Sequence, residues 1–257
     1  MEDRNLSSTP EQQLDVQRGR STRIRDQLLA GLPVTQRRLQ LNGISTALIE
    51  GGEGPPIVLL HGPGGFGASW LRVIPSLVGS HRVIAPDLPG HGASGTNTPM
   101  DVQRTIGWLD DLIDCTCKAP PVLCGTTLGG AIAARYASAR SERLAGLVLV
   151  DALGLSVFQP VPEFGMAIGE YMASPSETTH ERLWRQCAFD LATMRDRLGE
   201  TWERFKAYDI DRARASELKA TQESLFEHFV MPAIAPSELA KITVPTSLIW
   251  GKNDRAT

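Results

Sequence analysis

A chain of 257 residues is long enough to bury a full core, and it suits one large domain, or one such domain carrying an insert, rather than two unrelated ones. Apolar residues at 42% and charged residues at 21% exclude the low-hydrophobicity, high-charge composition of a disordered chain. A formal net charge of -3, with lysine and arginine scattered among acids, excludes the basic stripe that a nucleic-acid backbone demands, so no nucleic-acid partner is expected.

Residues 1–33 read as a leader. Ser8-Thr9-Pro10-Glu11 has the form of a helix start, but Leu14, Val16, Ile24, Leu28 and Leu29 make a sparse apolar stripe broken at Gly19, which leaves open whether the leader is an appended helix or frays. The first residues are polar and charged without an apolar segment of signal-peptide type, and no run approaches the roughly 18 apolar residues that cross a bilayer. Cys115, Cys117, Cys124 and Cys187 lack the paired spacing of a zinc site, and a domain of this size does not need disulfide staples. Free thiols, no metal, no membrane and a cytoplasmic setting are therefore expected.

From residue 34 the texture becomes strand-like, over 37–41 and 44–49, broken at Asn42-Gly43 and Gly51-Gly52 as an opening hairpin. Strands and helices then alternate: a strand over 57–60, a helix over 68–77, a strand over 82–85, a helix over 102–115, a strand over 122–124, a helix from 128 to about 139, and a strand over 147–150. Short, continuous apolar strands separated by helices are the pattern of parallel strands covered on both faces, joined by right-handed crossovers. The expected fold class is α/β, a doubly wound, mostly parallel sheet.

The alternation stops over 153–239, a stretch rich in helix formers with Trp184, Phe189, Trp202, Phe205, Phe226 and Phe229 at loose helical spacing. An insert so long is most economically a helical cap, because a structureless loop of that length is unusual in a compact domain, and its aromatics are expected mainly to pack. One more strand follows over 246–250. The expected organisation is a leader over 1–33, a core over 34–152, a cap over 153–239 and the last part of the core over 240–257.

Three constellations could carry chemistry. His61-Gly62-Pro63-Gly64-Gly65 follows the strand over 57–60, where a Gly-rich turn can aim backbone N–H groups at a developing oxyanion. Gly125-Thr126-Thr127-Leu128-Gly129-Gly130 joins a strand to a helix in the G-x-Nu-x-G form of a nucleophile elbow, with Thr127 at the nucleophile position and the Leu128 N–H at a helix amino end. In Asp87-Leu88-Pro89-Gly90-His91-Gly92-Ala93-Ser94-Gly95 the Asp and His more simply satisfy nearby backbone, so His91 is not read as a catalytic base.

Taken in order, and with Trp250-Gly251-Lys252-Asn253-Asp254, these elements resemble the α/β-hydrolase superfamily, in particular its cap-bearing group of esterases, epoxide hydrolases and C–C bond hydrolases, over about residues 34–257. The resemblance implies Thr127 as nucleophile, Asp254 as the triad acid, and Gly64 with Leu128 as the oxyanion hole, Pro63 having no N–H to give. Asp151 ends the strand over 147–150 on the same edge and is the alternative acid. Thr departs from the Ser, Asp or Cys usual at the elbow, its extra methyl crowding a strained turn and restricting χ1.

The triad order is nucleophile, acid, histidine, and none of His61, His81, His91, His180 and His228 follows Asp254. The expectation is that the sequence lacks a C-terminal helix, strand and histidine loop, and that this chain is inactive and prone to associate through an exposed edge strand. The activity implied is hydrolysis of a small apolar ester or related bond in a small-molecule substrate, with no cofactor. The alternative is a non-catalytic ligand receptor or scaffold on the same fold. Nothing in the sequence bears on oligomeric state.

Overall fold

The computed structural model describes residues 10–96, 98–215 and 218–254. Seven strands form one sheet: β1 (Thr35–Leu41), β2 (Ile44–Gly51), β3 (Pro56–Leu60), β4 (Arg82–Pro86), β5 (Val122–Thr126), β6 (Gly146–Val150) and β7 (Thr246–Ile249), in the spatial order β1-β2-β4-β3-β5-β6-β7. The β1–β2 hairpin closes through Asn42 and Gly43, at φ 48 and 76, the left-handed pair that a tight hairpin turn requires. β2 runs antiparallel to β4, and from β4 to β7 every pairing is parallel.

Successive residues of the parallel strands enter opposite cores. Val58 and Leu60 pack with Trp108, Leu112 and Ile132 on one face, while Leu59 packs with Leu28, Phe66, Ile74 and Tyr208 on the other. Burial on both faces explains why these strands read as unbroken apolar runs. The first face is covered by α3 (Val102–Thr116) and α4 (Leu128–Arg140), and the helix expected from 128 to about 139 is α4. α3 begins at Asp101, whose carboxylate accepts the Arg104 N–H at 2.8 Å.

The single helix expected over 68–77 is instead a 3₁₀ turn at Gly67–Trp70 followed by the one-turn α2 (Ile74–Leu77). Pro75 sits in the first turn of α2 and, having no N–H, cannot donate to the carbonyl one turn back as a continuous helix requires.

The leader carries α1 (Pro10–Leu29), which buries Leu28 and Leu29 under the sheet. Between β6 and β7 lie α5 (Pro162–Ala173), α6 (Glu177–Cys187), α7 (Leu191–Leu198), α8 (Glu200–Ala213), α9 (Lys219–Phe229) and α10 (Pro236–Leu239). Their aromatics mostly pack: Trp184 meets Trp202 edge-on at 5.2 Å, Phe226 meets Phe158 at 5.6 Å, and Phe205 and Tyr208 of α8 lie on Phe66 at 5.9 and 4.3 Å. Phe189 departs from this, being 87% exposed. All four cysteines are free, and no described helix is long and apolar enough to cross a membrane.

One buried ion pair ties α1 to the sheet. Arg25 Nη1 donates to Asp87 Oδ2 at 2.7 Å, with the two side chains 5% and 0% exposed. The same carboxylate accepts the N–H groups of Gly67 at 2.8 Å and Ala93 at 2.7 Å. Removing only the cation leaves a desolvated charge, so Arg25→Met is expected to cost about 3–5 kcal/mol of unfolding free energy in urea titrations. Adding Asp87→Asn should restore part of that loss, and additive single and double variants would contradict the coupling.

Candidate active site

The order of the strands sets where a ligand can sit. The chain leaves β3 towards β4 on one side and leaves β5 towards β6 on the other, so the loops beyond β3 and β5 diverge and open a crevice at the carboxyl edge. His61 to Gly65 and Thr127 occupy those two loops.

Thr127 has φ 48 and ψ -112, outside the regions ordinary residues populate and costlier still for a β-branched side chain. Its surroundings hold it there: the Thr127 N–H donates to the Val150 carbonyl at 3.1 Å, and its carbonyl accepts from Ala131 at 3.0 Å and Leu153 at 3.1 Å. Gly125 and Gly129 are required by the same turn, since a Cβ on Gly125 would run into the Gly129 backbone, and one on Gly129 into the carbonyls of Leu60 and His61. Thr127 Oγ1 lies against the Gly62 backbone, is buried, and makes no hydrogen bond among the described residues. The N–H groups of Leu128, at the start of α4, and of Gly64 likewise make none.

His61 is engaged through both ring nitrogens. A backbone N–H can only donate, so Leu88 N–H at 2.9 Å from Nε2 puts the lone pair there and the proton on Nδ1, which donates to the Gly62 carbonyl at 2.7 Å. The ring is fully buried, and burial lowers its pKa to about 4 against the opposing Gly62 bond. His91 meets His61 edge-on at 5.4 Å, donates from Nδ1 to the Pro89 carbonyl at 3.0 Å, and is lowered to about 3 by burial and by His61. Both rings hold the loop around 87–95 in shape, as does the Asp87 carboxylate.

The two acids that the sequence offers as alternatives stand together. Asp151 follows β6 with φ 42 and accepts the Gly251 N–H on Oδ1 at 2.8 Å, which brings the end of β7 to the end of β6. Burial raises the Asp151 pKa, and so do the charge of Asp254 and a hydrogen bond with it, while the Gly251 N–H opposes. Of the other histidines, His180 lies among Tyr171, Trp184 and Trp202 with Nε2 at 3.3 Å from Asp209, away in the helical segment. β7 ends the sheet with Leu248 63% and Ile249 53% exposed.

Sequence reasoning placed Thr127, Leu128 and Gly64 on the two facing loops but missed the Arg25–Asp87 pair and the meeting of Asp151 with Asp254. Their partners are 62 and about 100 residues apart, and no local spacing signals such contacts.

Residues 57–257 match the model of the alpha/beta hydrolase family. The chain is 31% identical over 237 residues to 2-hydroxymuconate semialdehyde hydrolase of Pseudomonas sp. (strain CF600), covering 87% of this chain and 78% of the relative. It is 36% identical over 109 residues to pimeloyl-[acyl-carrier protein] methyl ester esterase of Aeromonas hydrophila, covering 42% of this chain and 41% of that protein. In fold it resembles 2-hydroxy-6-oxo-6-phenylhexa-2,4-dienoate hydrolase from Rhodococcus sp. strain RHA1, with TM-score 0.74, 23% identity and coverage of 87% and 83%. Carboxylesterase CesB from Bacillus subtilis gives TM-score 0.77 at 19% identity, covering 94% and 83%.

The neutral histidines make stability depend on pH with a definite sign. Unfolded His61 binds a proton near 6.5 and folded His61 only near 4, so stability is full above 6.5 and falls as the pH drops towards 4, by about 3 kcal/mol for this ring. Raised carboxyls such as Asp151 titrate in the opposite sense, so the measurement is a difference: the urea midpoint of the wild type should drop relative to His61→Gln between pH 6.5 and 4. Parallel pH profiles for the two proteins would overturn the assignment of His61 as a buried neutral ring.

Proposed function

The chain belongs to the α/β hydrolase family and is a hydrolase, and on that premise we propose that it cleaves a small, apolar ester or related bond, with Thr127 as the attacking group. The observation that carries this reading is the elbow itself. Thr127 is held at φ 48 and ψ -112 at the strand-to-helix turn, with its hydroxyl against the loop after β3 and an unengaged N–H on the next residue. A strained backbone kept in place by surrounding bonds is how a fold lifts one side chain off a sheet edge.

In this mechanism the Thr127 oxygen adds to the substrate carbonyl as its hydroxyl proton passes to water, and the N–H groups of Leu128 and Gly64 receive the developing oxyanion. Collapse of the adduct expels the alkoxide, which takes a proton back from that water, and a second water hydrolyses the acyl-threonine to the free acid. The α4 dipole adds to the Leu128 donor, and each such donor is worth roughly 3 kcal/mol in the transition state. Asp254 holds the position of the triad acid, the group that orients an imidazole in a complete triad, and all five histidines of this sequence precede it. Asp151 is in contact with it, and its own pKa is raised by burial and by the charge of Asp254. His61 takes no part in proton transfer, because both of its nitrogens already serve the loop. The helical segment from α5 to α10 acts as the cap that covers the acyl group and sets its size.

A second reading, a non-catalytic ligand receptor on this fold, draws on one observation: Thr127 Oγ1 is buried with no hydrogen-bond partner among the described residues, whereas an activated nucleophile sits against a base.

The test is turnover of short p-nitrophenyl esters and of 2-hydroxymuconate semialdehyde, the substrate in the relative's name. Thr127→Ala should lower kcat/KM by about 10³ or more, and Thr127→Ser, which removes the crowding methyl, should match or exceed the wild type by roughly fivefold. Wild-type turnover that survives Thr127→Ala would sink the assigned nucleophile. Tight binding of acyl ligands with no turnover of any would decide for the receptor.

A further inference from the structure

A cavity of about 320 Å³ lies away from the elbow, between α1, α8 and the loop over 92–96. Three arginines, Arg25, Arg38 and Arg212, line it together with Ser21 and Tyr208, and none of its described lining residues is acidic. The nearby carboxylates are committed elsewhere. Asp87 holds Arg25 through Nη1, and Asp211 pairs with Arg20 at 3.2 Å. Neither Arg38 nor Arg212 has a salt bridge among the described residues. Arg38 spends Nη1 on the Ser45 hydroxyl and the Ala93 carbonyl, each at 3.0 Å.

Three donors on these lining residues are buried and make no hydrogen bond among the described residues: Arg25 Nη2, Arg212 Nε and Ser21 Oγ. Arg25 and Ser21 are themselves 4% and 5% exposed, so bulk water does not serve these groups. Buried polar hydrogens without acceptors are rare in native proteins, and here three of them, on two helices, border one electropositive cavity.

We propose that this cavity is a binding site for the phosphate group of a small anion. Guanidinium groups from α1, β1 and α8 and a hydroxyl from α1 present donors from separate directions, which the oxygens of a tetrahedral phosphate can satisfy together and a planar carboxylate cannot. Arg38 and Arg212, neither of them in a salt bridge among the described residues, match a dianion. The volume exceeds that of phosphate alone and leaves room for a small organic group against Tyr208. The floor of the site is the loop that also carries Asp87 and His91, so an occupant would brace the same loop that Arg25 anchors. The site stands apart from Thr127 and does not depend on the hydrolytic reading.

The experiment is thermal unfolding and calorimetric titration of the full chain with inorganic phosphate, against chloride at equal ionic strength. Saturable stabilisation by phosphate alone is expected, with affinity lowered about tenfold in Arg212→Gln and roughly threefold in Ser21→Ala, Arg25 being left intact because it also holds Asp87. Glycerol 3-phosphate distinguishes the source: binding tighter than inorganic phosphate assigns the site to phosphomonoesters, and equal binding assigns it to phosphate itself. No saturable effect beyond chloride, or an affinity unchanged in both variants, would overturn the proposal.

Discussion

Asp87 holds a full negative charge out of water, and the shape of the carboxyl edge follows from how that charge is satisfied. Its two oxygens receive the Arg25 guanidinium from α1, the Gly67 N–H from the 3₁₀ turn and the Ala93 N–H from its own loop. A carboxylate so placed is tolerable only with all these donors present, so the leader helix, the turn after β3 and the loop after β4 are obliged to meet at one point. The Arg25 guanidinium also lies 5.0 Å over the Phe66 ring, on which Tyr208 of α8 stacks, and this extends the same node into the helical segment. From the loop the constraint passes on through short steps. Leu88 N–H fixes the His61 tautomer, the His61 Nδ1 proton fixes the Gly62 carbonyl, and the Gly62 backbone lies against the Thr127 hydroxyl.

The elbow is a local expense met by the sheet around it. A non-glycine residue at φ 48 carries roughly 1–3 kcal/mol of strain, and the β-branched Thr127 has fewer rotamers with which to relieve it. The bonds of its N–H and carbonyl to β6, α4 and the segment beyond Asp151 hold the turn in place. α4 is buried along most of its length, through Leu128, Ile132, Tyr136 and a run of alanines, so it cannot rotate to release the strain. The same edge gathers the acids: parallel pairing of β6 with β7 brings their ends level, and the Gly251 N–H then locks onto Asp151.

Much of this was legible in the sequence, for physical reasons. Strands covered on both faces must be apolar at every position, so β3 to β6 stood out as short unbroken runs, and the helix periods between them implied the parallel, doubly wound sheet. Turn chemistry is local as well. Asn42-Gly43 announced its hairpin, and the glycines at 125 and 129 announced a turn with no room for side chains, which put Thr127, Leu128 and Gly64 on the loops after β5 and β3. Local signals misled at one place: the helix expected over 68–77 contains Pro75, and one proline was enough to divide it.

Contacts between groups far apart in the chain are fixed by packing alone, because nothing in the composition or spacing around either partner encodes the other. Arg25 in a sparse, polar leader gave no sign that it would cross to Asp87, and a leader whose helix was in doubt became the element that neutralises a buried charge. Asp151 and Asp254 read as rivals for one role, and the register between β6 and β7 set them side by side. The sheet, the elbow and the residue types on the edge are encoded locally, since periodicity and turn geometry are written over a few positions. Which charge faces which, and which donors stay unmatched, depends on how helices 60 to 200 residues apart come together around α1 and α8, and that is settled only by packing.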